Sequence, residues 1–129
     1  SKKRTLESIS HLLGDQMASL DGKELFNALI NREKLGSTGF GDGIAIPHCR
    51  LANCTQVTGA LVRLATAVDF DAIDQQPVDL LFVLLVPLQA TDEHLQILAT
   101  LAAIFGKPEF RSNLREAADA RAMYQIAIA

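Results

Sequence analysis

LLFVLLVP, residues 80–87, is the longest apolar run of the chain. It is far shorter than the roughly 20 residues a membrane-spanning helix needs, so no membrane insertion is expected. Val83 and Val86 favour extended backbone and Pro87 ends the run, which reads as a strand buried on both faces. Two further strand candidates are VTGALVRLA, residues 57–65, and GIAIP, residues 43–47. Three strands set among helical patterns predict a layered α/β domain.

The helices read from period and caps. In residues 4–17, Leu6, Ile9, Leu13 and Met17 form one stripe, with Gly14 as an expected break and His11 off the stripe in solvent. Asp21 is an N-cap with Glu24 three residues on, and the helix it opens buries Leu25, Phe26, Leu29 and Ile30 before stopping near Gly36. A third helix starts at Thr91 or Asp92, with Leu95, Leu98, Ala102 and Phe105 inward. Pro108 opens a fourth and Asp119 a short fifth.

Composition narrows the function. The 129 residues are 49% hydrophobic and 21% charged, ordinary globular usage for one domain spanning residues 1–129. A net charge of -3, one Tyr, six Phe and no Trp offer neither a basic field nor stacking platforms, so no nucleic-acid partner is expected. Two cysteines, Cys49 and Cys54, are too few for a disulfide framework, and no secretory leader opens the chain, so a cytoplasmic location is expected.

The chemistry concentrates in LGSTGFGDGIAIPHCRL, residues 35–51, where Gly36, Gly39, Gly41 and Gly43 lead into a proline and a histidine. A phosphate loop of the G-x-x-x-x-G-K-[ST] type fails, because Asp42 and Gly43 stand where Lys and Ser or Thr belong. A dinucleotide fingerprint fails because these glycines follow a helix and lead into a strand, the reverse of the required order. Two readings remain open: an ordinary flexible connection, or backbone N–H groups with the Ser37 and Thr38 hydroxyls beside an anion near His48. His48 is either an exposed loop histidine or a nucleophile, since neutral imidazole is competent near pH 7.

The run REKLGSTGFGDGIAIPHCRL, residues 32–51, resembles the active-site segment of mannitol/fructose-type enzyme IIA domains of the bacterial phosphotransferase system. FDAIDQQPVDLLFVLLVP, residues 70–87, is similar to the nitrogen-regulatory branch of that family. The resemblance runs from Lys2 to Tyr124 and implies a three-layer α/β/α sandwich with a mixed sheet. It also implies that an N-terminal segment of the full-length protein, with a strand before the first helix, is missing here.

By the same resemblance His48 accepts a phosphoryl group on Nε2 from an HPr-like carrier, His94 donates a hydrogen bond to the phosphate, and Arg32 stabilises its charge. Ser37, Thr38, Gly39, Gly41 and Gly43 form the loop of that site. The chain departs from the family pattern at Cys49, where many relatives have Gly, and at Phe40, where Ile or Val is common. The implied function is a regulatory phosphoprotein that signals by phosphorylation-dependent binding, with potassium-transport proteins or sensor kinases as possible targets. The alternative is a sugar-specific IIA component that passes phosphate to a IIB domain.

No metal or organic cofactor is expected. A metal site of His48, Cys49, Cys54 and His94 is disfavoured, because sequence neighbours rarely both reach one ion and no C-x-x-C pair occurs. A thiol mechanism with Cys49 as nucleophile and His94 as base is the second rival. Asp42, Asp92 and Glu93 are expected either to meet a basic rim on the donor or to stand as solvated carboxylates.

Overall fold

A computed structural model describes the backbone of residues 1–89 and 93–128, and the side chains of these except residues 93–95. The chain groups into two compact units, residues 1–90 and 91–129.

In the first unit α1 (Lys2–Gln16) and α2 (Gly22–Leu35) precede five strands: β1 (Gly39–Gly41), β2 (Ile44–Ala45), β3 (His48–Leu51), β4 (Thr58–Val68) and β5 (Val78–Pro87). The expected central strand is β5. It pairs antiparallel with β4 along one edge and parallel with β2 and β3 along the other, so the sheet is mixed. Ile44 pairs with Leu80 and His48 with Leu84, one register carried past Pro47. The strand expected at 43–47 is therefore interrupted: Ile46 gives its N–H to Thr38 O at 3.1 Å, and proline has none to give. The chain then rejoins β5 as β3. Neither β1 nor β3 was expected, because three glycines in five residues hide a strand and "HCRL" is too short to show alternation.

Leu81, Val83 and Leu85 of β5 join Leu6, Ile9, Leu13, Leu25 and Leu29 of the helices in one buried core. Leu80, Leu84 and Val86, on the other face of the strand, are buried too, which accounts for the unbroken apolar run. Asp21 caps α2 as expected, its carboxylate accepting from Lys23 N at 2.9 Å. The expected break at Gly14 does not occur, and α1 is continuous through it. A Cβ at Gly14 would stand 2.8 Å from the backbone nitrogen of Gly22, so this glycine lets α1 and α2 approach closely.

The glycine-rich segment is a hairpin. Gly41, Asp42 and Gly43 turn it with φ of 114°, 58° and 80°, which explains two of the glycines. Asp74 braces the turn, accepting from Asp42 N at 2.9 Å through Oδ2 and from Gln76 N at 3.1 Å through Oδ1.

The second unit holds α3 (Glu93–Phe105), α4 (Pro108–Glu116) and α5 (Ala120–Ile128). Pro108 opens α4 and the Asp119 carboxylate accepts from Ala122 N at 2.8 Å, both as expected. Phe105 is buried and stands edge-on to Phe110, ring centroids 5.3 Å apart. Leu98 and Ala102 are half-buried, while the expected cap at Thr91 or Asp92 and the Leu95 side chain lie outside the described residues.

Gly14→Ala is expected to lower stability by about 1–3 kcal/mol, because the collision with Gly22 outweighs the helix propensity gained. Urea denaturation checks this; an exposed helical glycine would show a gain instead. The backbone N–H of Asp42, then that of Gln76, holds the Asp74 carboxyl below its ordinary value of 3.8. A depressed carboxylate contributes its stability above the ordinary value and loses it as pH falls through the folded one. The Asp74 carboxyl resonance is therefore expected to titrate below 3.8, with the hairpin amide of Asp42 shifting in step.

Candidate functional site

His48 opens β3. Cys49 and Leu51 join the helix-side core, so alternation turns His48 and Arg50 to the other side of the strand, where His48 is half-exposed and Arg50 exposed. The anchor is main-chain: Leu84 N donates to Pro47 O at 2.9 Å.

The ring has two identified partners. Nδ1 lies 2.8 Å from the Ile46 carbonyl, and Nε2 lies 3.3 Å from Nε of Arg32. A carbonyl only accepts and a guanidinium only donates, so the two contacts select one tautomer. Nδ1 carries the proton and Nε2 presents its lone pair.

Arg32 reaches this point from the last turn of α2, where a cation also suits the helix dipole. Its Nη1 donates to Gly36 O at 2.9 Å, fixing the guanidinium against the chain that leaves the helix. A half-buried imidazole with a bare nitrogen facing a guanidinium can attack an electrophile whose anionic oxygens the guanidinium then holds.

The loop residues have defined partners inside the protein. Thr38 is buried; its N–H donates to Glu33 Oε2 at 2.9 Å and its hydroxyl to Glu33 Oε1. Ser37 Oγ donates to Phe70 O and accepts from Gly39 N at 2.9 Å. A Cβ at Gly39 would lie 2.8 Å from the Ala72 Cβ, so that glycine serves a close approach between two loops. Gly43 turns its carbonyl to Asp79 N and Leu80 N, at 3.0 and 3.1 Å.

Glu33 escaped the sequence reading. It is a buried carboxylate that also meets Lys2 Nζ at 3.2 Å. The available signal was its position: with Leu25 and Leu29 it continues the i, i+4 stripe of α2 into the core. Ile46 escaped too, because its contribution is a carbonyl, which no side-chain pattern reports.

His94 falls in the first turn of α3, but its side chain is outside the described residues, as are those of Asp92 and Glu93. Asp42 is exposed at the hairpin turn. Among the described residues no group of three or more His, Cys, Asp or Glu is arranged to hold a metal ion. Cys49 is buried, and burial, with the Cys54 thiol nearby as a smaller cause, pushes its thiol up to about 12. The thiolate a cysteine mechanism needs is therefore scarce near neutral pH. Cys54 is buried and its Sγ donates to Gln56 O at 2.9 Å.

Known proteins resemble the chain over nearly its whole length. The family model described as "Phosphoenolpyruvate-dependent sugar phosphotransferase system, EIIA 2" matches residues 1–128. A nitrogen regulatory protein of Pseudomonas aeruginosa is 52% identical over 128 residues, spanning 99% of this chain and 83% of that one. The crystal structure of the nitrogen regulatory protein IIA-Ntr from Neisseria meningitidis superposes with a TM-score of 0.87 at 46% identity, covering 99% of this chain and 86% of that one. The crystal structure of IIA mannitol from Escherichia coli, 16% identical, shares the fold with a TM-score of 0.78 over 98% of this chain and 88% of that one. The α/β mixed-sheet fold expected from the sequence is the fold found.

The native Cys49 thiol is expected to resist iodoacetamide at mildly alkaline pH and to react on denaturation, as read by intact mass. A thiol raised in the folded state contributes its stability fully below the ordinary value of 9.0 and loses it as pH rises towards about 12. Alkaline unfolding of Cys49→Ala is therefore expected to be less steep over that interval.

Proposed function

Because the chain belongs to the EIIA type-2 family of the phosphoenolpyruvate-dependent sugar phosphotransferase system and is similar to its nitrogen regulatory members, it is a phosphocarrier component, and we propose that His48 is the residue phosphorylated. The observation that carries this is the His48 ring: Nδ1–H on the Ile46 carbonyl, and the Nε2 lone pair facing Arg32.

The donor is an HPr-like carrier of the nitrogen-related branch, itself phosphorylated on a histidine. The Nε2 lone pair forms the new N–P bond, the donor's N–P bond breaks, and its electron pair returns to the donor ring. No proton moves at Nε2, because the tautomer already leaves that nitrogen bare. Nδ1–H keeps its bond to Ile46 O as the ring acquires charge, and Arg32 turns from Nε2 to the phosphoryl oxygens. The chemistry asks only for alignment and charge stabilisation, with donor and acceptor both ring nitrogens.

The same reading gives His94 the part of hydrogen-bond donor to the phosphoryl group, and gives Ser37, Thr38, Gly39, Gly41 and Gly43 the shaping of the segment that leads into His48. The output is regulatory and cytoplasmic. Phosphorylation adds roughly two negative charges to a half-exposed position, enough to admit one protein partner and repel another. Potassium-transport proteins and sensor kinases are the partner classes to try first.

The test is phosphorylation by purified general and nitrogen-related HPr-type carriers, followed in time by intact mass. Wild type is expected to gain one phosphoryl group, faster from the nitrogen-related carrier, and His48→Ala none. Arg32→Gln and His94→Ala are each expected to slow transfer by about a hundredfold. Phosphate on His48→Ala would overturn the nucleophile. Faster transfer from the general carrier, with onward transfer to a sugar-specific IIB, would replace regulation by sugar uptake.

A further inference from the structure

We propose that Glu33, acting through Thr38, is a positioning residue that sets which ring nitrogen of His48 keeps its lone pair. The consequence for phosphoryl transfer rests on the phosphocarrier reading above; the effect on the ring does not.

A carboxylate in the core is unfavourable unless every lone pair has a use. The Glu33 side chain is 2% exposed and accepts from three donors: Lys2 Nζ at 3.2 Å, Thr38 N at 2.9 Å and the Thr38 hydroxyl. These bonds reach outside α2 to the chain on either side of it. Lys2 is held in turn by Asp71 Oδ2 at 3.2 Å and Phe70 O at 3.5 Å, with its ammonium 5.7 Å from the centre of the Phe70 ring. The start of α1 thus links the Glu33 carboxylate at the end of α2 to the loop after β4.

Thr38 is gripped by its N–H and hydroxyl together, and the peptide that carries its carbonyl is held on the far side by Gly39 N, which donates to Ser37 Oγ at 2.9 Å. Its carbonyl accepts the Ile46 N–H at 3.1 Å, and the Ile46 carbonyl accepts the His48 Nδ1–H at 2.8 Å. Between those bonds Ile46 is buried and precedes a proline, which restricts its backbone, while Pro47 O is held by Leu84 N at 2.9 Å. The direction of the Ile46 carbonyl is thus set from both ends. That carbonyl is what keeps the proton on Nδ1.

Charge matters as well as shape. A carboxylate can face three donors, whereas a glutamine offers one acceptor oxygen and two donor hydrogens. Glu33→Gln removes the charge that faces Lys2 and sets its NH2 group against the Thr38 hydroxyl, which then has to accept where it donated, and so loosens the step next to Ile46. Thr38→Val removes only the hydroxyl bond, and Thr38→Ser keeps it.

The test uses the protein with 15N-labelled histidine under mildly alkaline conditions, where ring nitrogen shifts report the tautomer. Phosphorylation rates are measured per folded molecule on the same samples. Wild type is expected to hold the proton on Nδ1. Glu33→Gln and Thr38→Val are expected to populate the Nε2–H form and to take up phosphate about tenfold more slowly, and Thr38→Ser to restore both readouts. Unchanged ring shifts and rates with only a lower melting temperature would make Glu33 purely structural and overturn the inference. So would a wild-type ring protonated on Nε2. Should Glu33→Gln not fold, Thr38→Val decides by the same criteria. Should wild type accept no phosphate, the phosphocarrier reading fails, and the ring shifts alone decide whether Glu33 positions His48.

Discussion

The Leu84 N–H donates to the Pro47 carbonyl, and the geometry of the site depends on that bond. β5 is paired along both edges, with β4 on one and β2 and β3 on the other, and buried on both faces, so its backbone is firmly held. A residue hydrogen-bonded to it inherits that rigidity. Pro47 is such a residue, with the His48 imidazole next in the chain. Both backbone groups of Ile46, between β2 and β3, are used: the N–H by Thr38 O, beside the Gly39–Ala45 pair of β1 and β2, and the carbonyl by the His48 ring.

Rigidity of this kind matters more for phosphoryl transfer between ring nitrogens than chemical force does. The bond made and the bond broken are similar, so a carrier gains by presenting its lone pair in a fixed direction with a cation at hand. In the proposed reading Arg32 is that cation, reaching from a helix end with its Nη1 on Gly36 O. Cys49, next in sequence to His48, points into the core, where burial keeps it protonated. Adjacent residues on a strand thus receive opposite environments by alternation alone.

The glycines illustrate how one composition signal can have several physical causes. Gly41 and Gly43 take positive φ at a hairpin turn, and Gly39 stands against Ala72. Gly14, far from them in sequence, permits two helices to touch. For Gly39 and Gly14 the demand comes from a partner elsewhere in the chain, and for Gly41 and Gly43 from the turn itself, so a glycine count points to a need without naming it. Thr38 and Ser37 are similar: their hydroxyls turn to Glu33 and Phe70 O, partners that hydroxyl residues in a loop do not announce.

What the sequence by itself determined was whatever follows from local period and local chemistry. The doubly buried strand at 80–87, the apolar stripes of α1 and α2, the Asp21, Pro108 and Asp119 helix starts, and the motif around His48 all depend on neighbours within a few residues. Only the tertiary structure decided that β2 and β3 continue one register along β5, that Gly14 is a crossing point and not a break, and that a buried Glu33 ties Lys2 to Thr38. The tautomer that the His48 contacts favour belongs to this second group, because it depends on a carbonyl and on a guanidinium from another element. Hydrogen-bond partners and close approaches are properties of pairs of residues brought together by folding, and no pattern along one strand or helix contains them.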